Sequence, residues 1–300
     1  MAVKAESTLA TQRTIHPHTA WYYARHILRY VPLVLIALIA VGPFVLSFLG
    51  SFETNGQLTS YPPQVIPAAW TFDNWVRVWN FTLPSVNGLV LPRWFWNSTW
   101  LALVNVACQL VFSSMAAYAL ARISFRGAQL VLSVMIATMA IPSSVTMLPG
   151  YVFYARLGWI NTYLPLIVPT LVDLASVLMF VQYFKSIPRE LEDAALVDGA
   201  NRWRIYWQII LPLSGPILLT VGILKFQGSW NNYLTPLLFL QLPQLMTLPI
   251  GMGFFKNQYS SDYAAQLVGA MMNAIPVLIL FFSFSRVFTD TGSYAGLAGQ

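Results

Sequence analysis

Between Arg29 and Glu53 the chain runs through 23 residues without a charged side chain, and longer uncharged runs separate Arg93 from Arg122 and Arg126 from Arg156. A helix rises 1.5 Å per residue, so about 20 apolar residues cross a hydrocarbon core of roughly 30 Å. Runs of that length, repeated, restrict the fold to helices in a bilayer, because lipid offers unpaired backbone groups nothing to bond with. Composition points the same way. Only 9% of the 300 residues are charged and 57% are hydrophobic, whereas a soluble domain carries about 25% charged residues. Intrinsic disorder is excluded, since it needs low hydrophobicity. The net charge of +6 reads as a topology signal in contact with membrane lipid and not as a nucleic-acid surface. The single cysteine, Cys108, excludes an internal disulfide and a Cys-rich metal site.

The expected fold is an all-α integral membrane protein with six transmembrane helices. The spans are Tyr30–Phe52, Trp94 to about Tyr118, Leu130–Tyr151, Tyr163–Phe184, Leu213–Leu238 and Ala264–Phe288. Residues 1–29 form an N-terminal tail, residues 30–288 the membrane domain and residues 289–300 a C-terminal tail. Lys and Arg choose the side. Lys4, Arg13, Arg25 and Arg29, then Arg122 and Arg126, then Lys185, Arg189, Arg202 and Arg204, and finally Arg286 fall on one side. The other side holds only Arg77, Arg93, Arg156 and Lys256. The positive-inside rule therefore puts both termini in the cytoplasm, with loop 185–212 inside and Glu53–Arg93 outside. Trp94, Trp96 and Trp100 read as an outer aromatic belt, and Trp203 and Trp207 as an inner one.

Several chemistries lack their residues. His16, His18 and His26 all lie before the first span, and no H-E-x-x-H, G-x-S-x-G or Walker A motif occurs. The chain is expected to be a non-enzyme that binds no cofactor and no metal, so any ATP-driven step needs a separate polypeptide.

The inner loop carries the most information. Pro188 suits the first turn of a helix, and Glu190, Glu192 and Asp193 suit its positive end. Leu191, Ala194, Ala195 and Asp198 share a face at the 3.6-residue period, low enough for another surface to approach. Gly199 stands where a helix C-cap turns the chain. A second short amphipathic piece, Arg202–Ile210, leads to Leu211-Pro212. Asp193, Ala194, Ala195, Gly199, Ile209, Leu211 and Pro212 fall in register on the pattern E-A-A-x3-G-x9-I-x-L-P, with Asp in place of Glu. In this the loop resembles the permease subunits of binding-protein-dependent ABC importers. Asn97-Ser98, Asn161-Thr162, Trp230-Asn231, Pro236-Leu237, Leu248-Pro249-Ile250-Gly251 and the Gly-rich end Gly292–Gly299 are similar to the shorter, six-span permease of maltose-type carbohydrate systems.

The resemblance implies a bacterial or archaeal inner-membrane subunit for sugar import. It implies a second, longer permease, two ATPase subunits carrying ATP and magnesium, and an extracytoplasmic sugar-binding protein. Glu192, Asp193, Ala194, Ala195, Asp198 and Gly199 would then form the cytoplasmic coupling helix that meets an ATPase. The loop around Leu248-Pro249-Ile250-Gly251 would reach toward the binding protein.

Two charges interrupt the spans. Asp173 lies about 10 residues in from the outside and Lys225 about 12 in from the inside, which puts both roughly 15–18 Å deep. Charges at that depth mark a functional site by default. They pair with each other, line the pathway, or snorkel to the interface from spans whose boundaries lie a turn away, with Trp230 and Asn231 as further lining candidates. The alternative in another class is an ion- or proton-coupled carrier using Asp173 and Lys225 as its relay, which should show internal repeats; none is visible.

Overall fold

The computed structural model describes residues 20–256 and 262–297. His16, His18 and most of the expected N-terminal tail lie outside that range. The chain divides into two units at Ser47–Phe48. Helix α1 (Ala20–Gly50) makes up the described part of the first unit and enters the second. Within it, Leu28–Gly50 is long and apolar enough to cross a membrane.

The second unit is also helical. Short helices α2 (Asn55–Leu58) and α3 (Asp73–Trp79) precede the long α4 (Val90–Arg122). Then come α5 (Ala128–Met139), α6 (Ser143–Arg156), α7 (Leu164–Ile167) and α8 (Leu174–Ser186). The inner loop holds α9 (Glu190–Val197) and α10 (Arg202–Ile205), followed by a π-helical turn Tyr206–Ile210 and α11 (Leu211–Leu213). Last are α12 (Gly215–Trp230), α13 (Leu234–Phe239), α14 (Leu248–Gly251) and α15 (Tyr263–Leu297). Among the described residues four helices are long and apolar enough to span a membrane, or six if each of two bent pairs counts as one span.

The bends are the main departure from the expected spans. The third expected span is two helices, α5 and α6, meeting at 99°. Pro142 sits at the joint as N-cap of α6 with extended backbone; a proline disfavours helix in the residue before it and has no N–H to continue the ladder. The fourth span is interrupted as well. A 3-10 turn, Val168–Thr170, follows α7, and α8 begins only after Asp173. Pro165 and Pro169 lie in that opening stretch. The fifth span is shorter than expected, because α12 ends at Trp230 and the helical segment Arg202–Leu213 meets it at 79°.

α4 is the central element, packed against α8 and α12. One core, at the α9 end, joins Ala117, Tyr118 and Ala121 of α4 to Val177, Phe180 and Phe184 of α8 and to Ile205, Tyr206 and Ile210. A second, at the other end, gathers Val90, Leu91, Trp94, Trp230, Leu248, Ala265 and Val268. Trp94 is therefore not a belt residue. It is fully buried, and its Nε1 donates to the Pro243 carbonyl at 2.7 Å. Trp96, Trp203 and Trp207 remain exposed. The segment Leu248–Gly251 likewise turns inward. Leu248 and Ile250 are buried, the Leu248 N–H donates to Ser98 Oγ at 2.8 Å, and Asn97 Nδ2 donates to the Gln244 and Met246 carbonyls. A Cβ on Gly251 would stand 2.1 Å from the Trp94 ring, so only glycine fits. Asn97 and Ser98 thus fasten this segment to α4.

Candidate functional site

Between the two cores lies a cavity of about 380 Å³. Polar groups from four elements face it. α4 supplies Asn105 and Gln109, the turn before α8 supplies Thr170, α8 and its cap supply Asp173 and Ser176, and α12 supplies Lys225 and Ser229, with Asn232 just beyond. The break in the fourth span builds this site. Asp173 is the N-cap of α8: its Oδ2 accepts from the Ser176 N–H at 2.9 Å and from Ser176 Oγ at 2.7 Å. Its own N–H donates to Ser113 Oγ at 3.1 Å. A carboxylate at a helix N-terminus also meets the positive end of the helix dipole. Non-helical backbone at membrane depth is tolerated where protein or a cavity satisfies it, and here Ser113 and the Asp173 cap supply partners.

The rest of the lining is a hydrogen-bonded amide and hydroxyl network. Asn105 Nδ2 donates to Ser229 Oγ at 2.9 Å, and Thr170 Oγ1 donates to Asn105 Oδ1 at 3.1 Å. Gln109 Nε2 donates to Ser176 Oγ at 2.5 Å, while Gln109 Oε1, equally buried, has no protein donor. A buried acceptor left bare costs about 1–3 kcal/mol.

Asp173 and Lys225 line the same cavity without forming an ion pair. Among the described residues the ion pairs are Arg77–Asp262, Arg122–Glu192 and Arg202–Glu192. The carboxylate of Asp173 caps α8. Trp230 and Asn231 do not face this cavity. Trp230 is buried between Phe95 and Phe226 with its Nε1 on the Asn273 carbonyl, and Asn231 Oδ1 accepts from Asn273 Nδ2. The neighbouring Asn232 faces it instead.

The inner loop folds as a helix, a tight turn and a second helix. α9 closes in a Schellman arrangement, with the Ala200 N–H on Ala195 O at 2.9 Å and the Gly199 N–H on Leu196 O at 3.0 Å. Gly199 has φ +79, the left-handed conformation that glycine takes without cost. Asn201 then caps α10, its Oδ1 accepting from the Arg204 N–H at 2.8 Å. Asp193, Ala194, Asp198 and Gly199 are exposed and Ala195 is half-buried, so these lie on an accessible surface. Glu192 departs from the expectation. It is the one buried residue of α9, turned inward onto Arg122.

Comparisons with known proteins agree with this architecture. Residues 109–289 match a family described as binding-protein-dependent transport system inner membrane component. The arabinooligosaccharides transport system permease protein AraQ of Halalkalibacterium halodurans is 36% identical over 88% of this chain and 93% of that protein. The lactose transport system permease protein LacG of Rhizobium radiobacter is 29% identical over 88% of this chain and 93% of that one. Among solved structures, a bacterial ABC transporter involved in the import of the acidic polysaccharide alginate has a chain of the same fold. It superposes with a TM-score of 0.78 at 21% identity, over 90% of this chain and 99% of that one.

Proposed function

The chain belongs to the inner membrane components of binding-protein-dependent transport systems, and from that premise we propose that it passes a sugar into the cytoplasm through the cavity between α4, α8 and α12. Its membership makes it a multi-pass transport subunit and not an enzyme. The sugar assignment is supported by the relatives, which include arabinooligosaccharide and lactose permeases. Nothing in these comparisons speaks for an ion-coupled carrier. The finer reading has six spans with both termini cytoplasmic, a second and longer permease completing the pathway, and two ATPases holding ATP and magnesium. An extracytoplasmic binding protein delivers the sugar. Asp193, Ala194, Ala195, Asp198 and Gly199 form the surface that meets an ATPase.

The observation that carries this reading is the polar cavity itself, set between apolar helices. Sugar hydroxyls both donate and accept. Lys225 offers a cation outside any ion pair among the described residues, and the Asp173 carboxylate and the Asn105, Gln109 and Asn232 amides add further groups. Among the described residues no aromatic side chain lines the cavity, so this chain gives a sugar hydrogen bonds there without a stacking platform. The test is uptake by the assembled complex in proteoliposomes. Asp173→Asn keeps a good N-cap and Lys225→Met keeps the length of the stem. Each should lower uptake about tenfold with assembly intact, and the double variant should lose at least as much as both together. Wild-type uptake in both single variants, or uptake driven by an ion gradient without ATP, would reject the reading.

A further inference from the structure

Of the eight residues of α9, only Glu192 is buried, and six are exposed. Beside Ala195, half-buried against the core, Glu192 is the inward contact of this helix. Its Oε1 lies 3.1 Å from Arg122 Nε, with both side chains about 5% exposed or less. The contact is an ion pair off the line of the N–H and not an aligned hydrogen bond. Its Oε2 lies 3.4 Å from an Nη of Arg202, which is half-exposed and contributes less. Arg122, the last residue of α4, uses its other end differently. One Nη donates to the carbonyls of Phe184 and Ile187. These belong to the last turn of α8 and the residue capping it; Phe184 O also takes the Ile187 N–H at 3.2 Å, and a cation there meets the negative end of the dipole. One guanidinium therefore joins the ends of α4 and α8 to the only buried side chain of α9.

We propose that Glu192 and Arg122 are positioning residues for coupling, fastening α9 to the ends of α4 and α8 so that the three move as one piece. This rests on the reading of α9 as the element that meets an ATPase, but it removes Glu192 from the contact surface and gives it an internal task. The requirement is geometric as well as electrostatic. Lysine carries the same charge on a single ammonium and cannot present a fork to two directions at once, so Arg122→Lys should fail although the charge is kept.

The experiment uses the assembled complex with spin labels at Ile123→Cys and Val197→Cys, both exposed, in a Cys108→Ala background. The parent should give one narrow distance distribution. Glu192→Gln and Arg122→Lys should each broaden it about twofold or more and lower the sugar moved per ATP by about fivefold, with the ATPases still co-purifying. Glu190→Gln, which removes an exposed acid on the same helix, should change neither. An unchanged width in both variants overturns the brace. Loss of ATPase binding at unchanged width also overturns it, since Glu192 would then be a direct contact. Broadening with wild-type coupling would overturn the role of α9 beneath it, so the two failures are distinguishable.

Discussion

Asp262 shows how much a single carboxylate can organise. It accepts from Asn55 Nδ2 at 2.9 Å and from the Ala265 N–H at 3.0 Å, and it pairs with Arg77. It thereby ties α2 and α3 to the start of α15. Burial works against its ionisation, but the bonds from Arg77, Ala265 and Asn55, with the charge of Arg77, outweigh that and hold its carboxyl below the ordinary 3.8. A depressed folded pKa means that the unfolded chain binds the extra proton first. The stabilisation is thus complete above pH 3.8 and is lost as pH falls through the folded value. The difference in melting midpoint between wild type and Arg77→Ala should be flat from about pH 7 to about pH 5 and shrink below about pH 4. A difference that grew on acidification would contradict this. The same scale shows what the sequence displays and what it hides. Asp173 stands out because a charge in a span is conspicuous, while Asn105 and Gln109 are uncharged and vanish into the hydrophobic run. Their signal was periodic: Asn97, Asn105, Gln109 and Ser113 recur at multiples of four along α4 and are all buried, one polar stripe on an apolar helix. Trp230 was misplaced because a ring in a span reads equally as lining or packing, and here it packs.

At the level of elements the inner loop was the most legible part, since caps and turns have local chemical causes. The glycine turn after α9 depends on a backbone conformation and not on space, for nothing stands within 4 Å of a Cβ built on Gly199. Gly199→Val should strain the backbone by about 1–2 kcal/mol, and substrate-stimulated ATPase activity should drop several-fold in the assembled complex. Gly199→Asn should stay within about twofold of wild type, because Asn tolerates the left-handed region. Equal activity in Val and Asn variants would show that the turn does not transmit force. The bent spans were less legible. Hydropathy reports that a segment tolerates lipid, not the direction in which it runs, so α5 and α6 read as one straight crossing. Pro142, Pro165 and Pro169 were the available warnings. The inward turn of Leu248–Gly251 was hidden for another reason: it depends on Trp94, about 150 residues away in sequence, and no local pattern reports such a contact.

Across the whole molecule the proposed orientation puts the segment between α2 and α3 outside and α9 inside. Tyr61 is 95% exposed and Val197 88% exposed, so single cysteines at these positions, in a Cys108→Ala background, should react readily with a membrane-impermeant reagent. The first should be labelled in intact cells and the second only after the membrane is opened; labelling of both in intact cells would overturn the orientation. A different consequence follows from the exposure of α9. Six of its eight residues take little part in the folding of the permease, so the sequence of that face can drift, or be redrafted by design, while Glu192 keeps the helix seated. Cells that carry several importers could use this freedom to keep their motors from cross-talking, or to let one motor serve many permeases, by rewriting a handful of codons on about two turns of exposed helix.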